Sequence, residues 1–327
     1  MKKFMNGVDT MVAESLEGFV RAHESRLVFG PGGKFVRRRA LASGKVAVIS
    51  GGGAGHEPLH VGFVGAGMLD AACTGHIFTS PTPDQIVAAI EATDTGAGCL
   101  LVVKNYDGDV MNFEMAAEMA AARHAIDMVV VKDDVAHGNR SQGRRGVAGT
   151  VIVEKLLGAA AGRGTSLGEL KVLGEALNER IRSMGVALRG VAVPNTRRET
   201  FALGADEMEM GVGIHGEPGR SREPFGDATA IVETLCQSIL ADMGQGAAAS
   251  PLLLINGFGG TPSSELYLAY GIARRYFEAH GIAAVRSLVG TYVTSLDMAG
   301  LSVTLAMLSD DERDLWDAPV ATAALSW

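Results

Sequence analysis

Short runs of consecutive apolar, β-branched residues alternate along this chain with longer segments rich in Ala and Leu. "KVAVIS" (45–50) runs into glycines, "CLLVVKNY" (99–106) runs into the turn signal Asp107-Gly108, and "IDMVVVKDD" (126–134) ends in charges. Unbroken apolar strands that end in polar loops predict a parallel sheet buried on both faces. Between them, "DQIVAAIEATD" and "NFEMAAEMAAARH" predict helices. The first has a clear start in "TPDQ" (82–85): Thr82 can cap, Pro83 suits the first turn, and Gln85 can close a capping box. "TVIVEKLLGAAAGRG" and "LGELKVLGEALNERIRSM" predict two further helices.

A second α/β block follows. "GVALRGVAVP", "MEMGVGIH", "PLLLINGFGG", "AAVRSLVGTYVTS" and "LSVTLAMLS" predict strands. "DATAIVETLCQSILADM" and "PSSELYLAYGIARRYFEAHG" predict helices, the latter with Pro262 near its start and Gly281 at its end. "GQGAAAS" (244–250) reads as a surface loop, and neither repeats nor low-complexity segments are visible. The expected fold is therefore α/β, with two α/β domains whose sheets are mostly parallel or mixed. The boundary falls near Gly185, giving domains 1–184 and 185–327. A length of 327 residues suits two domains, and 47% hydrophobic residues suffice for a substantial core.

Charge narrows the partners. The net charge is −8, and the cationic runs "VRRRA" and "GRRG" are short. Nucleic acid is excluded as the main partner, since phosphate binding needs clustered cations. "MKKFMNGVDTMVAES" has no continuous apolar core of a signal peptide, and no stretch approaches the roughly 18 apolar residues of a membrane span. A cytoplasmic protein without membrane association is expected. Cys73, Cys99 and Cys236 are odd in number, far apart and in apolar contexts, so they read as buried small hydrophobes.

Ligands of open α/β sheets gather where strands end and helices begin, and three polar clusters fall there. "SGGGAGHEP" (50–58) frees backbone N–H groups to face a ligand. No Lys-Ser/Thr follows it, and His56 stands where a dinucleotide fingerprint needs its third glycine, which argues against a dehydrogenase. His56 is either functional or a loop-stabilising hydrogen bonder, and Glu57 an orienter of the loop. "KNYDGD" (104–109) offers Asp109 as a general base and Lys104 as a holder of a hydroxyl or phosphate, or else a solvated Asp-Gly turn. "GVGIHGEPG" (211–219) sets His215 among four glycines, with Glu217 within reach to orient it. A neutral imidazole there can act as a base, metal ligand or nucleophile. Metal is disfavoured: His56, His60 and His76 are spread along the chain, and Pro58 breaks the one helical spacing. "NGFGGTPSSELY" (256–267) reads as close helix–strand packing before an anion site. His23, His124, His137 and His280 read as surface residues.

Taken together, "KVAVISGGGAGHEP", "HIFTSPTPDQI", "VVKNYDGD", "GRRGVAGTVIVEKLLGAAA", "EMEMGVGIHGEPG", "TPSSELY", "TYVTSLDMAG" and "LWDAPVATAALSW" resemble the substrate-binding K subunits of the dihydroxyacetone kinase family. The likeness spans nearly the whole chain, and the stretches occur in the family's order. It implies that His215 adds to the ketone of dihydroxyacetone through a ring nitrogen as a hemiaminal. It implies that His56 and Asp109 are catalytic and that Gly53, Ala54, Gly55, His56, Lys104 and Asp109 line the substrate. Ala54 departs from the serine common in the family, which leaves triose against a four-carbon ketose such as erythrulose open. The resemblance further implies a homodimer and no metal or cofactor on this chain. ADP or ATP with Mg²⁺ is expected on a separate nucleotide-binding L subunit, since no Walker motif, kinase glycine loop or acidic Mg²⁺ cluster appears here. The phosphoryl source is a phosphotransferase-system protein or ATP. Some relatives are ketose-sensing coregulators that do not phosphorylate; Asp109 and His56 beside His215 favour catalysis.

Overall fold

The computed structural model describes residues 2–137, 143–194, 199–243 and 250–327. It divides into two compact units. The first comprises Lys2–Val131, Ile152–Ala176 and Leu315–Trp327; the second comprises Lys132–Val151 and Leu177–Asp314. The chain thus passes back and forth between units, and the boundary drawn after residue 184 falls inside a strand, Ile181–Arg189.

Helix α1 (Met11–Ala22) opens the first unit, followed by β1 (Leu27–Phe29), β2 (Val36–Arg38), β3 (Ala47–Ala54), β4 (Ala71–Ile77), α2 (Pro83–Thr93), β5 (Cys99–Lys104), α3 (Asp107–Ala120) and β6 (Ile126–Val131). The sheet order is β1-β2-β4-β3-β5-β6. Strands β4, β3, β5 and β6 pair in parallel, and the short β1 and β2 add an antiparallel edge. Phe35, Ile49, Ile86, Ile90, Leu101, Val103 and Phe113 fill the core between sheet and helices. The capping box at Thr82 and Gln85 is formed, with Thr82 N–H donating to Gln85 Oε1 at 2.9 Å.

Helices α4 (Gly149–Gly162) and α5 (Leu167–Asn178) lead to β7 (Ile181–Arg189), β8 (Glu207–Met210), β9 (Ser221–Pro224), α6 (Ala228–Met243), β10 (Ser250–Gly257), α7 (Ser263–Ala279), β11 (Arg286–Gly290), β12 (Ala299–Leu308) and α8 (Asp310–Trp316). The second sheet runs β11-β10-β12-β7-β8-β9. Among its named strands, as described, β10 and β11 pair in parallel and the other pairs are antiparallel. Both units are therefore α/β with mixed sheets. Residues 181–184, expected as the end of a helix, are instead the start of β7. Ile181–Ala187 are buried, and Ile181 and Met184 lie directly opposite Ala306 and Val303 of β12, so pairing outweighs local helix preference. Residues 244–249 of the expected "GQGAAAS" loop lie outside the described residues.

All three cysteines are buried free thiols, and burial pushes Cys99 and Cys236 up to about 12. Among the described residues no helix is long and apolar enough to cross a membrane.

Candidate active site

In the first unit the glycine run does not follow β3 but completes it. Each glycine is there because something else occupies the place of a side chain. A Cβ at Gly51 would meet Cys73 O at 2.6 Å, and one at Gly53 would meet Thr79 N at 2.6 Å. At Gly52 a Cβ would collide with the ammonium of Lys104. Ala54 ends the strand, buried, with its carbonyl accepting Phe78 N–H at 2.9 Å. Gly55 then turns the chain at φ 99°, a left-handed angle that favours glycine. The Glu57 carboxylate accepts the Gly55 N–H at 3.0 Å, so Glu57 does orient this loop. His56 is fully buried and stacks on Phe78, ring centroids 5.2 Å apart.

Lys104 is the last residue of β5 and Asp109 sits in the first turn of α3, so Asp107-Gly108 begins a helix rather than a free turn. Both side chains are buried, and Lys104 Nζ lies 3.2 Å from Asp109 Oδ2. Asp109 Oδ1 has no hydrogen-bond partner among the described residues. Lys104 Nζ also lies 3.1 Å from His60 Nε2, and His60 Nδ1 lies 2.5 Å from Glu154 Oε1 on α4. Gly53, Ala54, Gly55, His56, Lys104 and Asp109 thus gather around the C-terminal ends of β3 and β5.

His215 belongs to the second unit, in the turn after β8. Its backbone N–H donates to Glu217 Oε2 at 3.1 Å, and its Nδ1 lies 3.0 Å from Glu217 Oε1. Burial alone would raise the Glu217 carboxyl. The hydrogen bond from His215 and the Arg145 guanidinium outweigh it and hold the group at about 2. An ionised Glu217 accepts from Nδ1–H, which leaves the ring lone pair on Nε2. Arg145 is itself fixed: Nε donates to Asp134 Oδ2 at 2.7 Å and a terminal nitrogen to Gly211 O at 2.8 Å. Gly213 carries no side chain because a Cβ would collide with Glu217.

Among the described residues no group of three or more His, Cys, Asp or Glu could hold a metal ion. The "NGFGGTPSSELY" glycines pack: a Cβ at Gly257 would meet Leu266 at 3.0 Å. Asn256 accepts Val293 N–H at 2.8 Å and holds the following loop.

Residues 17–324 match the Dak1 domain. The chain belongs to the Dak1 family. This Dak1 chain is 46% identical over 99% of its length, and all of the relative's, to the PTS-dependent dihydroxyacetone kinase 1, dihydroxyacetone-binding subunit, of Listeria innocua. It is 43% identical, over its whole length and 99% of the relative's, to the PEP-dependent dihydroxyacetone-binding subunit of Escherichia coli. A D-erythrulose kinase of Mycolicibacterium smegmatis is 38% identical, the Dak1 chain covering 56% of it from 99% of its own length. Among solved structures, a dihydroxyacetone kinase operon co-activator superposes with TM-score 0.91 at 35% identity, covering 95% of this chain and 97% of that one.

Sequence reasoning missed Ser50, Glu154, Arg145 and Asp134, and set His60 aside. Glu154 left one signal: "EK" interrupts the otherwise apolar "TVIVEKLLGAAA". Lys155 is accounted for, donating to Leu315 O at 2.7 Å.

Glu217 gives a pH prediction. A carboxyl held at about 2, against an ordinary 4.5, contributes stability that is present above about pH 4.5 and lost as pH falls toward 2. Glu217→Gln removes that contribution. Urea melts between pH 2 and 7 should show the variant less stable at neutral pH, with the gap closing as pH drops. A gap independent of pH would mean the carboxylate's charge is not what holds the turn.

Proposed function

We propose that this chain is the dihydroxyacetone-binding subunit of a dihydroxyacetone kinase, capturing the ketose covalently on His215. Nε2 attacks the carbonyl carbon; the carbonyl π pair moves to oxygen, which takes a proton from water, while the ring's Nδ1 proton passes by way of Glu217 to water. The adduct is a neutral hemiaminal. The observation that carries this reading is the ionised Glu217 at Nδ1, because it dictates which nitrogen is nucleophilic. A terminal hydroxyl of the same triose is then the phosphoryl acceptor. Asp109 takes its proton, Lys104 holds the oxygen, and His56 hydrogen-bonds and polarises the same region. Gly53, Ala54 and Gly55 supply backbone contacts. Holding the acceptor oriented is a large part of phosphoryl-transfer catalysis.

In this reading the chain works in the cytoplasm as a homodimer and binds no cofactor. ADP or ATP with Mg²⁺ sits on a separate L subunit, and the PTS-dependent Listeria relative favours a phosphotransferase-system donor. Alone with ATP, Mg²⁺ and dihydroxyacetone, the chain forms no triose phosphate; adding the L subunit and its donor restores turnover. Robust turnover by the isolated chain would overturn the division of labour. The likeness to an operon co-activator favours one second reading, ketose sensing without phosphorylation. Ketose binding with no turnover in the presence of the L subunit and donor would select it. The erythrulose kinase relative makes D-erythrulose the second substrate to assay.

A further inference from the structure

Lys104 is a cation with none of its side chain exposed. A buried charge is tolerated only when paired and hydrogen-bonded, and an ammonium has three protons to place. One faces Asp109 Oδ2 at 3.2 Å and a second faces His60 Nε2 at 3.1 Å. An ammonium only donates, so His60 Nε2 must be the acceptor and the ring proton must sit on Nδ1. Two neighbours meet that proton. Glu154 Oε1 lies 2.5 Å away, and Ser50 Oγ lies 2.9 Å away. Ser50 donates its own proton to Val102 O at 2.7 Å, so toward the ring it is an acceptor as well. Donation therefore runs outward from Lys104, one way through His60 and Ser50 to Val102 O and the other way to Asp109.

We infer that His60 and Glu154 are positioning residues for Lys104: Glu154 fixes His60 in the tautomer whose Nε2 accepts from the lysine, aiming the ammonium at Asp109 and the acceptor hydroxyl. This rests on the reading that Lys104 and Asp109 handle the ketose hydroxyl. The strand backbone leaves just the room the ammonium uses. A side chain at Gly52 would collide with the ammonium, and it would lie 3.2 Å from His60 Nε2. His60 and Glu154 are themselves buried, in the segment after β3 and on α4. Burial pushes the Glu154 carboxyl up to about 8, and burial, Lys104 and His56 together hold His60 well below its ordinary value. Both shifts disfavour charge on the pair, so proton placement rather than ion pairing sets its geometry. Positioning of this kind matters kinetically because misplacing a reacting group by about 1 Å can cost about 100-fold.

The test uses the full chain. Nitrogen-15 spectra of histidine-labelled protein should show His60 protonated on Nδ1 with Nε2 bare; a proton on Nε2 would overturn the inference. Glu154→Gln keeps an oxygen acceptor for Nδ1–H and should turn over close to wild type with the L subunit and its donor. Glu154→Leu leaves Nδ1–H only the longer contact to Ser50 Oγ and should lose about 10–100-fold in kcat, with dihydroxyacetone affinity little changed because His215 still captures the ketone. Equal loss in both variants, or in neither, would make Glu154 a space-filling residue. If Glu154→Leu does not fold, Glu154→Asp, too short to reach Nδ1, replaces it. If the wild type itself makes no ketose phosphate, the kinase reading fails, and the histidine spectra of wild type and Glu154→Gln still decide whether the pair holds Lys104.

Discussion

Asp109→Asn keeps dihydroxyacetone bound and lowers phosphoryl transfer by about 10²–10⁴-fold, the range for losing a general base. The variant has the size and shape of the original but cannot accept a proton. Two features support Asp109 as the proposed base. Its Oδ2 is engaged by Lys104, while its Oδ1 has no partner among the described residues. It sits in the first turn of α3, with the buried ammonium beside it. The substitution also removes the counter-charge of a buried lysine, and breaking a buried pair costs about 3–5 kcal/mol of stability. A thermal melt must therefore accompany the rate measurement, so that lost rate is read only on folded protein. Near-normal turnover by folded Asp109→Asn would move the base elsewhere, with His56 the first candidate.

His215→Ala loses the distinction between dihydroxyacetone and glycerol. The two molecules differ by a carbonyl against a hydroxyl. A hydrogen bond is worth about 0.5–1.5 kcal/mol net, so hydroxyl contacts alone separate them by roughly tenfold at most. Covalent addition has no such ceiling, because an alcohol carbon is not electrophilic. In competition calorimetry the wild type should prefer dihydroxyacetone by well over that ratio, and the alanine variant should fall within it. An unchanged preference in the variant would leave His215 as a hydrogen-bonding residue in a glycine-rich turn.

What could be read from the sequence was what lies close along the chain. His215 and Glu217 are two residues apart, and a tight turn brings them together. Lys104 and Asp109 are five apart, across a strand end and a helix start. The capping box at Thr82 is likewise local. Contacts made over long separations left little trace. His60 and Glu154 are 94 residues apart, and Arg145 and Gly211 are 66 apart. Neither pair has a spacing that singles it out before folding. The strand at 181–184 was hidden for the same reason: "NERIRSM" suits a helix locally, and only pairing with β12 makes it a strand. Strand direction in the second sheet follows from β12 entering between β10 and β7, an arrangement that apolar runs alone do not encode. The glycines of β3 were legible as a loop signal, whereas their use is packing. Gly52 makes room for Lys104 as much as it shapes backbone.

The most direct measurement is a crystal structure of the wild-type chain soaked with dihydroxyacetone at neutral pH. Continuous electron density between His215 Nε2 and a tetrahedral former carbonyl carbon is expected, with no such bond to glycerol. A well-ordered, planar, unbonded ketone beside His215 would contradict covalent capture.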